Sequence, residues 1–281
     1  MPRNGSVGYS DNTPIKQEHL RVLLRTHMPI VKSIMQKRWV EPCYLYLDLN
    51  AGKGRYAVDG AWLYGSPLIA CAVAQAFDVP LQAVLCERDH ASLRSLRREL
   101  ITFGFASVPD QEDLYHNHHQ IMASVCPGDY EVSARDFLAH LQQHTSKERY
   151  GLLYSDENGS CPPFALLSEY ARTLPYLDIV IHLAASPIKW QRVSTVHPFR
   201  QRLDELMSTI QKTYWLIRDP YGHHQWTFLI GTNWPAFPKF RKQGFWPIDS
   251  PEGASILRRL SWTTKERQAH LQGNLFAQEE L

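Results

Sequence analysis

The 281-residue sequence has no apolar run approaching the roughly 20 residues needed to span a bilayer, so a membrane-spanning chain is not expected. Residues 1–13 are polar and lack the apolar centre of a secretory signal, and a cytoplasmic protein is expected. Cysteine is scarce. The five residues Cys43, Cys71, Cys86, Cys126 and Cys161 are odd in number, widely spaced and form no C-x-x-C pair. That spacing indicates neither a disulfide framework nor a zinc site, so reduced thiols and no metal are expected. The run His116-Asn117-His118-His119 has no cysteine or carboxylate at ligand spacing and reads as a solvated loop. An excess of one charge is missing too. Thirty Lys and Arg against 28 Asp and Glu leave +2, which excludes nucleic-acid binding through net charge alone and leaves only a local basic face. No internal repeat or low-complexity block is visible.

What is present centres on residues 44–70. The apolar, strand-forming run Tyr44-Leu45-Tyr46-Leu47 ends in Asp48 and breaks into Asn50-Ala51-Gly52-Lys53-Gly54. Glycine has no Cβ, so the turn can be tight and its N–H groups can face a nucleotide-like ligand. Lys53 lacks the G-x-x-x-x-G-K-[ST] spacing of a P-loop, which argues against an ATPase. Residues 55–64 are long for a β-to-α turn, and Ser66-Pro67 then suits a helix start, with serine as N-cap and proline at the first helical position.

Periodicity organises the remainder. Residues 1–13 read as a leader and 14–42 as a helical segment in which Pro29 predicts two helices or a kink. Residues 43–234 read as one α/β domain and 235–281 as an extension with a short helix at 256–260 and a polar tail. Strands are expected at 43–49, 81–86, 130–132, 150–154 and 177–183, each followed by a helix. The link Arg218-Asp219-Pro220-Tyr221-Gly222 predicts an antiparallel hairpin of 213–217 and 226–230. Residues 104–127 read as a polar surface excursion. The expected fold is Rossmann-like, a mostly parallel seven-stranded sheet with a terminal antiparallel hairpin and helices on both faces.

Ligands of such sheets bind outside the carboxyl ends of the strands. Asp48, Glu87, Asp136 and Asp156 each follow an expected strand and would share one rim. Glu87 stands where an acid accepts from both ribose hydroxyls, or simply begins a helix in the favourable field of its N-terminus. Asp136 suits a purine amino group or a helix cap equally. In Ser155-Asp156-Glu157-Asn158-Gly159, Asp156 and Asn158 are the candidates to orient an acceptor and take its proton. Cys161 has no assignable histidine partner, and His182, in an apolar strand, reads as a core residue. The loop Ser186-Pro187-Ile188-Lys189-Trp190-Gln191-Arg192 mixes cations with an aromatic. Lys189 and Arg192 are candidates for substrate phosphates, with Arg218, His223, His224, Trp234, Lys239, Arg241 and Lys242 extending that face.

The strand order and the acids at the strand ends resemble the class I S-adenosylmethionine-dependent methyltransferases. The stretch from Tyr46 to Tyr56, with Gly65-Ser66-Pro67-Leu68-Ile69-Ala70, more specifically resembles the three-Cys-motif partner protein family, over roughly residues 15–260. Asp156-Glu157-Asn158-Gly159 is similar to that family's Asp-Pro-x-Gly turn. The resemblance implies an S-adenosylmethionine site: Asp48, Asn50, Ala51, Gly52 and Gly54 on the methionine side, Glu87 on the ribose and Asp136 near the adenine. The fourth-strand turn departs from the Asp/Asn-Pro-Pro-Tyr/Phe of amino-methylating DNA enzymes and from the Pro-Cys of cytosine C5 enzymes.

A methyltransferase acting on a nucleic-acid acceptor, a DNA or RNA base, is therefore expected. The alternative is a non-catalytic, cofactor-binding interaction protein that works with a partner protein. An NAD-dependent oxidoreductase would share the glycine loop and the ribose acid, but the hairpin and the fourth-strand turn argue against it.

Overall fold

The computed structural model describes residues 13–58, 60–107, 113–116, 120–144, 147–157, 161–185, 199–220, 226–235, 240–263, 265–266 and 268–269. A long helix α1 (Thr13–Ile34) precedes strand β1 (Tyr44–Asp48), the hairpin β2 (Arg55–Val58) and β3 (Ala61–Tyr64), and helix α2 (Ser66–Ala76). Then come β4 (Leu81–Glu87), α3 (His90–Thr102), β5 (Phe105–Ser107), β6 (Asp113–His116), β7 (Ile121–Pro127) and α4 (Tyr130–His144). The second half comprises β8 (Gly151–Ser155), α5 (Phe164–Thr173), β9 (Leu177–Ala184), α6 (Phe199–Ser208), β10 (Tyr214–Arg218), β11 (Trp226–Thr232), a 3-10 turn (Phe240–Gln243), β12 (Phe245–Pro247) and α7 (Pro251–Ser261).

The main sheet runs β12-β10-β11-β9-β8-β1-β4-β7-β6-β5. Its centre is parallel, β7-β4-β1-β8-β9. β11 enters antiparallel between β9 and β10. The expected fold class is thus found, a parallel core closed by an antiparallel hairpin, with β5, β6 and β12 added at the edges. β1 explains the layering. Tyr44 and Tyr46 face one apolar cluster, with α1, α2 and α3, while Leu45 and Leu47 face the other, with α4, α5, α6 and α7. A strand buried on both faces reads as an uninterrupted apolar run, and all five β1 residues are buried.

Five expectations change. α1 continues through Pro29 as one helix, held by the burial of Leu20, Leu23, Leu24, Met28 and Val31. The helix after the glycine turn is capped by the backbone of Gly65, not by Ser66, whose hydroxyl turns to Asp48 instead. Residues 104–127 are not an irregular excursion: they contain β5, β6 and β7, and His116 is a buried strand residue packed edge-on against Phe105. β7 buries only alternate residues, Ile121, Ala123 and Val125, so it has no continuous apolar run. The third core strand therefore ends at Pro127, and the strand expected at 130–132 is the first turn of α4. Residues 245–261, expected within an appendage, supply β12 to the sheet and Ile256, Leu257 and Leu260 to the core.

Candidate functional site

The carboxyl ends of β1, β4, β7 and β8 open into a cleft of about 520 Å³. Its lining includes Asn50, Gly52, Glu87, Asp129, Asp156 and Glu157 from the strand ends, with Lys16 and Gln17 from α1.

The glycine turn is built on Asp48. This acid is fully buried and accepts hydrogen bonds from the Asn50 N–H (3.2 Å), the Tyr46 hydroxyl (3.1 Å) and the Ser66 side chain. Burial pushes its carboxyl up to about 7, against those hydrogen bonds. Asp48 thus supports the turn from beneath and does not line the cleft. Ala51 and Gly54 are also behind the surface: Ala51 donates its N–H to the Cys86 carbonyl (2.9 Å), extending the ladder to β4. Gly52 is at the surface with φ +66°, and a Cβ there would strike the Tyr56 hydroxyl. Its N–H donates to Glu87 Oε2 (2.8 Å), while Glu87 Oε1 accepts from the Asp89 N–H (2.7 Å). The β4 acid is thereby aimed along the cleft floor, and Asp89 caps α3 through the Ser92 N–H.

Asp156, at the end of β8, is at the centre of a charged group that local sequence did not disclose. Lys16 Nζ meets its Oδ2 at 2.5 Å, and both side chains are about nine-tenths buried. His182 Nδ1 lies 2.9 Å from Oδ1, and the Tyr154 hydroxyl is 3.4 Å from Oδ2. Burial disfavours the carboxylate, but the Lys16 ammonium and His182 outweigh it and hold Asp156 well below the ordinary carboxylate range. Glu157 behaves oppositely. Burial raises its pKa above the ordinary glutamate value, although Tyr130 and Ser155 donate to it (Ser155 at 3.2 Å). Asn50 ties the two loops together, its side-chain oxygen accepting from the Asp156 N–H at 3.4 Å.

The expected site residues therefore divide. Asn50, Gly52, Glu87 and Asp156 converge on the cleft, with Asp48, Ala51 and Gly54 behind it. Asp136 does not join them. With the third strand ending at Pro127, it falls in the second turn of α4, exposed to solvent, and Asp129 takes the rim position, accepting from the Glu131 N–H at 2.8 Å. His182 is drawn into the site through Asp156. Trp234 is not on a basic face: it stacks on His27 at 5.7 Å, beside Tyr44 at the start of β1, away from the rim. Asn158, Lys189, Arg192, His223, His224 and Lys239 lie outside the described residues. Among the described residues no group of three His, Cys, Asp or Glu side chains is placed to hold a metal ion, and no helix is long and apolar enough to cross a membrane.

The residues present fit a cationic nucleoside-type ligand. Six carboxylates and two cations line the cleft, so its field favours positive charge. Gln17 Oε1, on the same lining, is buried with no hydrogen-bond partner among the described residues and calls for a donor.

No protein-family model and no curated protein matches the sequence. Solved structures do. Protein LPL1258 of Legionella pneumophila superposes with a TM-score of 0.51 at 12% identity, covering 81% of this chain and 89% of its own. Trm1 of Pyrococcus horikoshii, solved with S-adenosyl-L-methionine, gives a TM-score of 0.47 at 10% identity. That match covers 79% of this chain and 55% of the Trm1 chain, about half its length. At such identities the first of these likenesses speaks for the fold alone.

Proposed function

We propose that the protein is an S-adenosylmethionine-dependent methyltransferase whose acceptor is a nucleic-acid base. The observation that carries the reading is the rim itself. A glycine turn at positive φ, an acid at the end of β4 bound to that turn, and a second acid at the end of β8 face one cleft. The three-Cys-motif partner resemblance points the same way on residues 46–56 and 65–70. The excess of carboxylates suits a sulfonium and opposes the diphosphate of a dinucleotide, so the electrostatics favour this cofactor over NAD.

In this reading the Gly52 main chain and Asn50 face the methionine portion and Glu87 the ribose hydroxyls. When bound, S-adenosylmethionine supplies an electrophilic methyl group. The chain's own task is alignment and proton removal. Asp156, kept ionised by Lys16, is a weak base and serves to position the acceptor indirectly, by holding Lys16 at the cleft. Glu157, next in the chain and on the same lining, has the raised pKa that suits a proton acceptor. Transfer of labelled methyl from S-adenosylmethionine to RNA and DNA pools tests this. Glu157→Gln is expected to lower the transfer rate by about 100-fold, as for loss of a general base, with cofactor affinity retained. Unchanged transfer would remove Glu157 from the chemistry.

One observation favours the second reading, a cofactor-binding protein acting with a partner protein. Lys16 of the chain itself occupies the acid toward which an acceptor amine would turn. Cofactor binding without transfer to any DNA, RNA or protein pool would favour it.

A further inference from the structure

A second cavity, of about 400 Å³, opens on the same rim where β10 ends, lined by His19, Val22, Arg218, Lys242, Gln243 and neighbours. β10 runs parallel to β9, because β11 is antiparallel to both, so Arg218 points to the side on which Asp156 lies. We infer that this cavity is an anion subsite that takes a phosphate group, in the functional reading above a backbone phosphate of the nucleic-acid acceptor.

Three observations support it. First, the Arg218 guanidinium is held in place by backbone oxygens, Nε donating to the Gln243 carbonyl (3.1 Å) and Nη1 to that of Asp219 (3.3 Å). Fixed in this way, it presents a prearranged fork for a planar or tetrahedral anion. Second, no ion pair neutralises it among the described residues, and Asp219 acts on its charge only from beyond ion-pair distance. Among the described residues no carboxylate is within ion-pair distance of Arg218, and the Asp219 carboxylate in the same lining is held by Arg259 at 2.5 Å. A half-buried cation held by neutral carbonyls and not by an ion pair is costly, and an anionic ligand would relieve that cost. Third, His19 Nδ1 is buried without a partner among the described residues, and Lys242 is exposed at the mouth. Burial first and Arg218 second push the His19 ring down to about 4, so it is neutral at physiological pH and its one N–H can donate to a phosphate oxygen.

The cavity adjoins the cleft. Lys16 and His19 are three residues apart on α1, about 4.5 Å of helix rise. A chain of contacts also links them across the rim: Asp156 to His182 (2.9 Å), His182 to the Trp226 ring (5.1 Å between centroids), and Trp226 to His19 (6.1 Å). A base near Asp156 would carry its phosphate toward Arg218. The negative cleft repels phosphate, and the neighbouring cationic cavity receives it.

The anion subsite stands on its own geometry. Only its natural source rests on the proposed function. Inorganic phosphate titrated into the full-length chain, followed by the histidine ring resonances with His19 assigned through His19→Gln, tests the site. A saturable shift of His19 is expected, weakened at least about tenfold in Arg218→Gln and in Lys242→Glu, each of which removes one charge-assisted contact. Lys242 is exposed, so its variant keeps the test valid if Arg218→Gln fails to fold. No saturable response, or one indifferent to Lys242→Glu, would overturn the site. A single-stranded oligonucleotide is expected to displace the phosphate. Phosphate binding without such displacement would overturn the nucleic-acid source and point to free phosphate. Cofactor titration of the same variants is read separately, and its failure would overturn the methyltransferase reading without touching the anion site.

Discussion

At Gly52 the backbone has φ +66° and a Cβ would meet the Tyr56 hydroxyl. Gly52→Ala is expected to lower stability by about 1–2 kcal/mol from the left-handed backbone alone, and by more from the contact. Adding Tyr56→Phe should restore only the contact's share, as read from urea unfolding midpoints. Lys16→Met removes the ammonium that neutralises a carboxylate about nine-tenths buried, and a loss of about 3–5 kcal/mol at neutral pH is expected. The sign follows from linkage. Asp156 is depressed in the folded protein, so its pairing contributes above the ordinary carboxylate range and is lost only as pH falls through its low folded value. In Lys16→Met the deficit should shrink on acidification, as Asp156 is allowed to protonate, and equilibrium unfolding across pH would measure it. Legibility at this scale follows sequence distance. Asp48, Asn50, Gly52 and Glu87 could be read because an acid and a glycine turn stand next to a strand. Lys16 could not, because its partner is 140 residues away and no local pattern marks a helix lysine for burial.

Helix α1 is the element that binds the two ends of the sheet together. Near its start Lys16 meets Asp156 at the rim. Three turns further, His27 bridges the Tyr44 hydroxyl (2.7 Å) and Asp178 (2.8 Å), all three buried. Its apolar stripe fills the core between them. His27→Leu would leave two buried polar groups without their shared partner, one of them a carboxylate. A loss of about 2–5 kcal/mol is expected by urea titration, against near-neutral change for the exposed Val22→Ala. Strands buried on both faces, β1, β4, β8 and β9, were readable as continuous apolar runs. β7 was not, since only every second residue is buried, and that one displaced strand also displaced Asp136 from the site. Pro29 predicted a break that the burial around it overrides.

Across the whole molecule, the parallel centre of the sheet brings four strand ends to one rim, and the antiparallel β11 carries Trp226 and Phe228 beside His182 on that same rim. Charge is divided along it, negative over β1, β4 and β8 and positive at the end of β10. The fold class was legible because alternation of strands and helices leaves few chain paths. The cleft was legible only in the half built by the glycine turn and Glu87, where chemistry and turn geometry coincide in a short stretch. The half supplied by α1 and β10 depends on tertiary placement. The central claim is the cofactor. Calorimetric titration of the intact protein with S-adenosylmethionine, S-adenosylhomocysteine and NAD, repeated on Glu87→Ala, tests it most directly. The account predicts binding of the first two and not of NAD, weakened at least about tenfold by the substitution, the equivalent of one charge-assisted ribose contact. Folded protein that binds neither, or that prefers NAD, would contradict it.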